Sequence, residues 1–372
     1  MKWDIQSLAL SKELFEKLTI DTDDKVCILR FGSDQESINE NYFISNEKDK
    51  IEIICFKKTF FRVFKEAHDY FYKVINTKSN FLQDESLIEG TYLCTIGLLL
   101  TTPENKTIIR IHEDIVKYCL KSYDAESKLK FINNEIAVVE KLLTSSNNKL
   151  NKSSSLWTLY KKLFMVSSEF KENISLHYLS VFMSSANLHF SNYYSWNTLR
   201  WFYDLLGNNE KIILFDKTKQ FCFKNMRDCS AWDTLADMAC KSDGEITHNI
   251  QEYNRFRSNY GIGSTYIEDQ NFLGPKIASL IDELVDYIDL CEVNGWPPYL
   301  CLMKCISSHN DKEIISKIFE KWDNSIECFI EKNPEVTLHG CKLEVISDSL
   351  FINRLVEVFN MKLKFIKKIK NS

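Results

Sequence analysis

The sequence predicts an all-α protein, an α-α superhelix in which stacked helical hairpins form a crescent. Gly and Pro are scarce, at 10 and 5 of 372 residues, whereas sheet-rich folds need many turns. Apolar residues recur at helical spacing along most of the chain. Similar tryptophan-centred segments also recur at similar intervals, which is typical of helical-repeat proteins.

The first 85 residues are predicted to form a separate N-terminal segment. Its runs "KVCILRF" and "KIEIICF" are β-rich and are expected to pair as a short β-hairpin with a long loop. The run "FFRVFKEAHDYFYKVI" that follows has apolar residues at helical spacing, so it predicts a helix.

Residues 86–310 are predicted to hold the helical repeats. Trp157, Trp196 and Trp232 are separated by 39 and 36 residues. Each follows a Ser or Asn that can cap a helix, and each opens an apolar-periodic run. Weaker copies place Ile109 and Tyr299 where the tryptophan would be, which gives five hairpins of about 35 to 50 residues. One hairpin cannot bury its own apolar stripe, so the tryptophans are predicted to fill the seams between neighbours.

The last predicted hairpin runs from Lys276 to Ser308, where Gly295 and two prolines break the chain between its helices. Residues 311–372 are predicted to form C-terminal helices.

Composition argues against several classes of protein. The net charge of -5 does not suit a nucleic-acid-coating protein. The twelve cysteines contain no CxxC pair, so no metal site is expected and a cytoplasmic location with reduced thiols is favoured. The longest apolar run, "YLCTIGLLL", is far short of the ~20 residues that a transmembrane helix needs.

The repeats resemble those of the protein prenyltransferase alpha subunits. "NYYSW" is similar to the family signature, "RDCSAW" to its next repeat and "TPENKTIIRIHE" to an early one. The sequence departs from the family pattern at Tyr160, Leu199 and Leu235, where the family has Arg. The closest resemblance is to the divergent alpha subunit of type III geranylgeranyltransferase, and the Asn-, Lys- and Ile-rich composition suggests a fungal branch.

This resemblance implies a subunit without zinc in a heterodimeric protein geranylgeranyltransferase. The expected partner is a beta subunit like that of Rab geranylgeranyltransferase, which would hold the catalytic zinc. The co-substrate would be geranylgeranyl diphosphate, with no cofactor on this chain. The acceptor would be a C-terminal cysteine of a membrane-trafficking protein, with an already farnesylated SNARE as one candidate.

The resemblance also implies site residues. Lys152, five residues before Trp157, would contact the diphosphate, because a cation stabilises that leaving group. The interface with the partner or substrate would include Asn192, Tyr193, Tyr194 and Arg200. The alternatives are a solvated loop lysine at Lys152 and tyrosines packed within the hairpin stack.

A different class of function stays open beside the enzyme subunit. Degenerate repeats can serve as a non-catalytic scaffold that binds other proteins. If the concave face of the crescent carries Lys152, Tyr193 and Tyr194 together, the enzyme subunit is favoured, and if they scatter, with Lys152 on the convex side, the scaffold is favoured. Nucleic-acid binding by the aromatic turns is disfavoured because basic residues do not interleave with them.

Overall fold

The fold is all-α with a small N-terminal sheet, which confirms the predicted fold class. The computed structural model describes residues 5–21, 25–33, 40–75, 82, 84–170, 177–240, 243–263, 277–346 and 349–371. These ranges contain sixteen α-helices and five short β-strands. The chain divides into two compact units, the first formed by residues 1–202 and 249–266, and the second by 203–248 and 267–372.

Most of the described residues lie in α-helices. The first ten are α1 Ala9–Leu18, α2 Lys57–Tyr70, α3 Glu85–Thr101, α4 Lys106–Ser122, α5 Ala125–Leu143, α6 Asn148–Asn151, α7 Ser154–Ser167, α8 Tyr178–Leu188, α9 Tyr193–Leu205 and α10 Asn208–Lys224. The others are α11 Cys229–Ala239, α12 Asp243–Asn259, α13 Ile277–Leu290, α14 Trp296–His309, α15 Lys312–Lys332 and α16 Leu350–Lys370.

Each of the five predicted hairpins appears as a pair of successive helices, with the short α6 between the two helices of the second pair. They are α3–α4, α5–α7, α8–α9, α10–α11 and α13–α14. Lys276, the predicted start of the fifth hairpin, lies outside the described residues, and α13 begins at Ile277. The break before α14 has the predicted form, since Gly295 precedes the helix and a proline occupies its first turn.

The N-terminal sheet differs from the expected hairpin. Its strands are β1 Val26–Gly32, β2 Tyr42–Asn46 and β3 Lys50–Phe56, in the order β1-β3-β2. The two runs expected to form a hairpin, β1 and β3, pair in parallel, and the antiparallel partner of β3 is β2. A tight turn joins β2 to β3, so β2 takes one edge of β3 and β1 pairs along the other edge.

A buried polar network joins α3, α4 and α5 in the first unit. The Nε2 atom of His112 lies 2.5 Å from Glu135 Oε1, and Tyr92 donates to the other oxygen of Glu135 at 2.8 Å. Thr95 Oγ1 lies 2.9 Å from the second ring nitrogen of His112. Burial of these groups is tolerable because each has a hydrogen-bond partner.

The C-terminal region contains a β-hairpin that the sequence patterns did not indicate. Strands β4 Val336–His339 and β5 Lys342–Val345 pair antiparallel around Gly340, whose φ of 63° suits a residue without a side chain. The hairpin packs on α15 and α16 through an apolar cluster made of Ile326, Phe329, Val336, Leu343 and Val356. The predicted boundaries at residues 85 and 310 stay predictions.

The described ranges hold neither a helix suited to cross a membrane nor a cluster of metal-ligating side chains. None of their helices is both long and apolar enough to span a membrane. No three His, Cys, Asp or Glu side chains within those ranges come close enough together to hold a metal ion.

Candidate partner-binding surface

The turn between α8 and α9, in the first unit, presents the aromatic residues that the sequence singled out. Ser191 has a φ of 51°, a left-handed conformation uncommon for a residue with a side chain. Asn192 then starts α9, because its carbonyl oxygen accepts from Trp196 N at 3.1 Å. Tyr193 and Tyr194 form the first turn of α9, with 57% and 40% of their surfaces exposed. The turn therefore places two adjacent rings at the surface.

A buried asparagine network holds this turn in position. The side-chain amide of Asn192 donates to Ser185 Oγ at 3.0 Å and also to Asn151 Oδ1. Asn151 in turn donates to Leu143 O at 2.8 Å. Asn192, Asn151 and Ser185 are fully buried, so the network links α9 to α6 and α8 away from water. Asn192 thus lies beneath the surface and supports the tyrosines from inside.

Tyr193, Tyr194 and Arg200 all lie on α9. The rings of Tyr193 and Tyr194 meet edge to face, with centroids 5.6 Å apart. Arg200 lies seven residues after Tyr193, about two turns along the same face of α9. Arg200 is half-buried, and its guanidinium lies 3.4 Å from Asn197 Oδ1.

Lys152 and Tyr194 line the same cleft in the first unit. The cleft encloses about 560 Å³, and its other polar lining groups include Lys149, Asn148 and Glu104. Lys152 Nζ donates to Phe190 O at 3.3 Å, so the lysine contacts the backbone of the α8–α9 turn. The structure therefore brings Lys152 and the tyrosine pair into one region.

Glu104 lines the cleft next to the start of α7. Its carboxylate accepts from the hydroxyls of Ser153, Ser154 and Ser155 at 2.5, 2.9 and 3.0 Å. Burial alone would raise the pKa of Glu104, but the hydrogen bonds from these serines outweigh burial and hold it below its usual value. Glu104 therefore stays ionised, and the two lysines that line the cleft, Lys149 and Lys152, outnumber this single carboxylate.

The three repeat tryptophans are buried, with at most 2% of their surface exposed. Trp157 stacks on Phe182 of the following hairpin at a centroid distance of 5.6 Å, and its Nε1 donates to Asn151 O at 2.7 Å. In the second unit, Trp232 packs at 5.6 Å on Tyr287 of the following hairpin. Trp196 lies on α9, about one turn after Tyr193. Trp157 thereby supports the same asparagine network that holds the turn.

Two residues of this surface were absent from the sequence-based selection. Phe190 is 59% exposed beside the tyrosines, and Lys149 lines the cleft with Lys152. No signal in the sequence indicated the exposure of Phe190, because phenylalanine is among the residues that are most often buried. Together, Phe190, Tyr193, Tyr194, Lys149 and Lys152 are called the turn surface below.

A second concavity, of about 430 Å³, lies between the end of α1, β1, α5 and α8. Its buried charges already bind protein atoms. Lys141 Nζ donates to Leu18 O at 2.7 Å and to Ile20 O at 3.0 Å, while Glu140 accepts from the Tyr160 hydroxyl at 2.6 Å. Burial lowers the pKa of Lys141. These bonds fasten α5 to neighbouring elements, so the turn surface is the stronger candidate for recognition.

Known protein families and a known protein match most of this chain. Three family models match in order: the ECM9 N-terminal domain over residues 4–144, the ECM9 middle domain over 156–260 and the ECM9 C-terminal domain over 277–372. Protein ECM9 of Saccharomyces cerevisiae is 39% identical over 334 residues, which is 89% of this chain and 87% of the yeast protein.

These matches correct the family assignment made from the tryptophan repeats. None of the three matching models is a prenyltransferase model, so the predicted alpha-subunit membership and the geranylgeranyltransferase function are wrong. The predicted beta-subunit partner has no support without them. The repeats resembled that family because buried tryptophans after polar caps follow from hairpin stacking itself. The expectation that this chain binds no cofactor stays a prediction. These matches cover most of the chain and show that it belongs to the ECM9 family.

Proposed function

We propose that this chain is a protein-binding helical protein that recognises a partner protein through the turn surface. The observation that carries the proposal is the exposure of Phe190, Tyr193 and Tyr194 on a turn fixed by buried hydrogen bonds. Three large aromatic residues within five positions leave apolar area in contact with water, and such patches commonly mark protein contacts.

The residue types suit a binding site. Tyrosine is enriched among residues that dominate binding energy, because it buries a large area and retains a hydroxyl for the partner. Its side chain has few rotatable bonds, so little conformational entropy is lost on binding. Because the asparagine network already orders the turn, less ordering is left to occur on association.

The cleft beside the rings suggests the chemistry of the partner. Lys149 and Lys152 line it and outnumber its one carboxylate, Glu104, whose oxygens accept from three serines. A partner segment with an apolar side chain next to a carboxylate would complement the tyrosine ring and the lysines. Such charge pairing favours the correct orientation and faster association.

A cytoplasmic location is part of the proposal. All twelve cysteines are free thiols, including exposed ones such as Cys229 and Cys341. Free exposed thiols support a reducing compartment, where disulfides are rare.

The test is site-specific photo-crosslinking of the full chain expressed in yeast. A photoreactive phenylalanine analogue replaces Tyr193 in one variant and Phe351 in a control, because Phe351 on α16 is an aromatic residue of similar exposure, 66%, that belongs to another part of the fold. The expected result is one protein captured from Tyr193 and not from Phe351, identified by mass spectrometry. Identical products from both positions, or none from Tyr193, would overturn the proposal.

The identified partner is then purified and its affinity measured by calorimetry. Tyr193→Ala/Tyr194→Ala should weaken binding by about tenfold or more, the range for two aromatic anchor residues. Lys149→Ala/Lys152→Ala should weaken it less and reduce its dependence on salt. Phe351→Ala should bind like the wild type. Equal affinity for the wild type and the double tyrosine variant would contradict the assigned site.

A further inference from the structure

Helix α2 in the first unit leaves an aromatic face uncovered. It buries one side against the protein through Thr59, Val63, Ala67 and Tyr70. On the opposite side, Phe61 is 58% exposed, Phe64 is 37% exposed and Tyr72, in the turn that continues the helix, is 55% exposed. The packed side of α2 holds the helix in place. The exposed aromatic side chains are therefore available for another contact.

The exposed face combines rings with positive charge. Since each residue advances about 100° around a helix, the positions that fall within about 60° of Phe61 can be grouped. They are Lys57, Lys58, Phe61, Phe64, Lys65, His68 and Tyr72, called the aromatic–basic face below. No Asp or Glu of α2 falls in this arc.

The acidic residues of α2 lie elsewhere on the helix. Glu66 turns toward α1, where its carboxylate accepts from Leu10 N at 3.1 Å and Ser11 N at 2.8 Å. Asp69 is half-buried beside the arc. The aromatic–basic face is therefore locally cationic in a chain whose net charge is -5.

The rings form a continuous row. The ring centroids of Phe64 and His68 are 5.2 Å apart, and those of His68 and Tyr72 are 4.6 Å apart. Mutual contact limits the motion of these side chains, so the row projects from the helix as an ordered ridge. Lys57 and Lys65 flank the row, and both are exposed.

We propose that the aromatic–basic face binds the surface of an anionic phospholipid bilayer, with α2 lying along the membrane plane. Aromatic side chains favour the interfacial region of a bilayer, and lysines beside them contact anionic headgroups while their stems stay in the apolar layer. The lysines match the negative charge of the cytoplasmic leaflet, which attracts basic residues at its surface.

The geometry favours a lipid surface over a protein as the occupant. A row of side chains on one side of one helix matches a flat partner along its whole length. A protein contact of comparable strength normally seats its aromatic anchors in pockets at the centre of an interface. The turn surface has a cleft beside its rings, whereas the aromatic–basic face is a protruding ridge.

The test is co-sedimentation of the full chain with vesicles of phosphatidylcholine alone or with about 30% phosphatidylserine. The wild type should bind the phosphatidylserine vesicles at least tenfold more tightly than the neutral ones, and salt should weaken the binding. Phe61→Ser/Tyr72→Ser and Lys57→Glu/Lys65→Glu should each lower binding at least tenfold. Because these positions are exposed, thermal unfolding of the variants should match the wild type.

The matched control is Lys106→Glu/Lys130→Glu, which makes the same charge change at exposed positions of α4 and α5. It should retain vesicle binding. Equal binding to both vesicle types, or equal loss in the control, would overturn the proposal. A photoreactive residue at Phe61 that captures a protein in cells and no lipid would replace the bilayer with a protein partner. These readouts do not depend on the turn surface, so either proposal can fail alone.

Discussion

The first unit carries two exposed aromatic surfaces that are held in place by different means. The turn surface depends on residues far apart in sequence, because Asn192 is fixed by Asn151 and Ser185. The aromatic–basic face follows from one helix whose opposite side packs closely on α3, where Gly97 lies beneath Val63. Buried hydrogen bonds therefore hold the turn surface in place, whereas close packing beneath α2 holds the aromatic–basic face.

The difference determines how each surface should respond to change. Removing one member of a buried hydrogen-bond network leaves the others unsatisfied, so the damage spreads through the network. Apolar packing under a helix adjusts more gradually, since neighbouring side chains can shift. The turn surface should thus be the more fragile of the two.

The largest effect is expected for Trp157→Ala. The change removes the stacking on Phe182 and the hydrogen bond to Asn151, and large aromatic truncations in a core cost about 3–5 kcal/mol. Urea unfolding followed by circular dichroism measures the loss. Proteolysis at the α8–α9 turn should also accelerate. Val63→Ala, under α2, should cost less and leave that turn protected, and equal cleavage in both variants would contradict the comparison.

The second effect is expected for Asn192→Ala. Without its amide, Asn151 Oδ1 and Ser185 Oγ lose a donor in a buried site, which should cost about 1–3 kcal/mol. Asn197→Ala on the same helix loses only a long contact to Arg200 and should change stability by less than about 0.5 kcal/mol. Thermal unfolding of both variants gives the measurement. Similar melting temperatures would mean that the network does not hold the turn.

The third effect concerns the packing under the aromatic–basic face. A Cβ atom at Gly97 would lie 2.8 Å from Ser11 Oγ and 3.1 Å from Ala67 Cβ. Gly97→Ala should therefore destabilise the protein by about 1–2 kcal/mol, since overpacking outweighs the gain in helix propensity. At Gly263 a Cβ would meet no atom within 4 Å, so Gly263→Ala is the control. A melting temperature of Gly97→Ala at or above that of the control would contradict the close approach.

Sequence periodicity predicted the helices well because hairpin stacking leaves a direct pattern in the chain. The tryptophans and their Ser or Asn caps marked the starts of α7 and α9. Helix α11 also begins just before its tryptophan, but its cap is Asp228, and the expected Ser230 lies inside the helix. Strand pairing left no such pattern. The strand β2 has only five residues and gave little signal, and without it the parallel pairing of β1 with β3 could not be inferred.

The two surfaces were predictable to different degrees. Clustering of aromatic residues drew attention to Tyr193 and Tyr194, but burial of Asn192 depends on Asn151 and Ser185, which only the tertiary structure brings near. In α2, the spacing predicted a helix without showing which side packs inward, because Phe and Tyr occur on both sides. The tryptophan repeats indicated a helical stack, and the same repeats led to the wrong family because many stacks share them.

The smallest expected effect tests whether the cleft depends on an ionised carboxylate. The hydrogen bonds from Ser153, Ser154 and Ser155 hold the pKa of Glu104 below its usual value, so the folded state keeps this group ionised to lower pH than the unfolded chain does. The stabilisation is complete above the ordinary glutamate pKa of about 4.3 and is lost as pH falls through the lower folded value. In Glu104→Gln, the melting temperature should therefore fall less steeply over that acidic range than in the wild type. Glu16→Gln, at an exposed position of α1, should keep the wild-type slope. If the Glu104→Gln and wild-type curves run parallel, the serines do not favour the charged form, and the cleft owes its shape to packing alone.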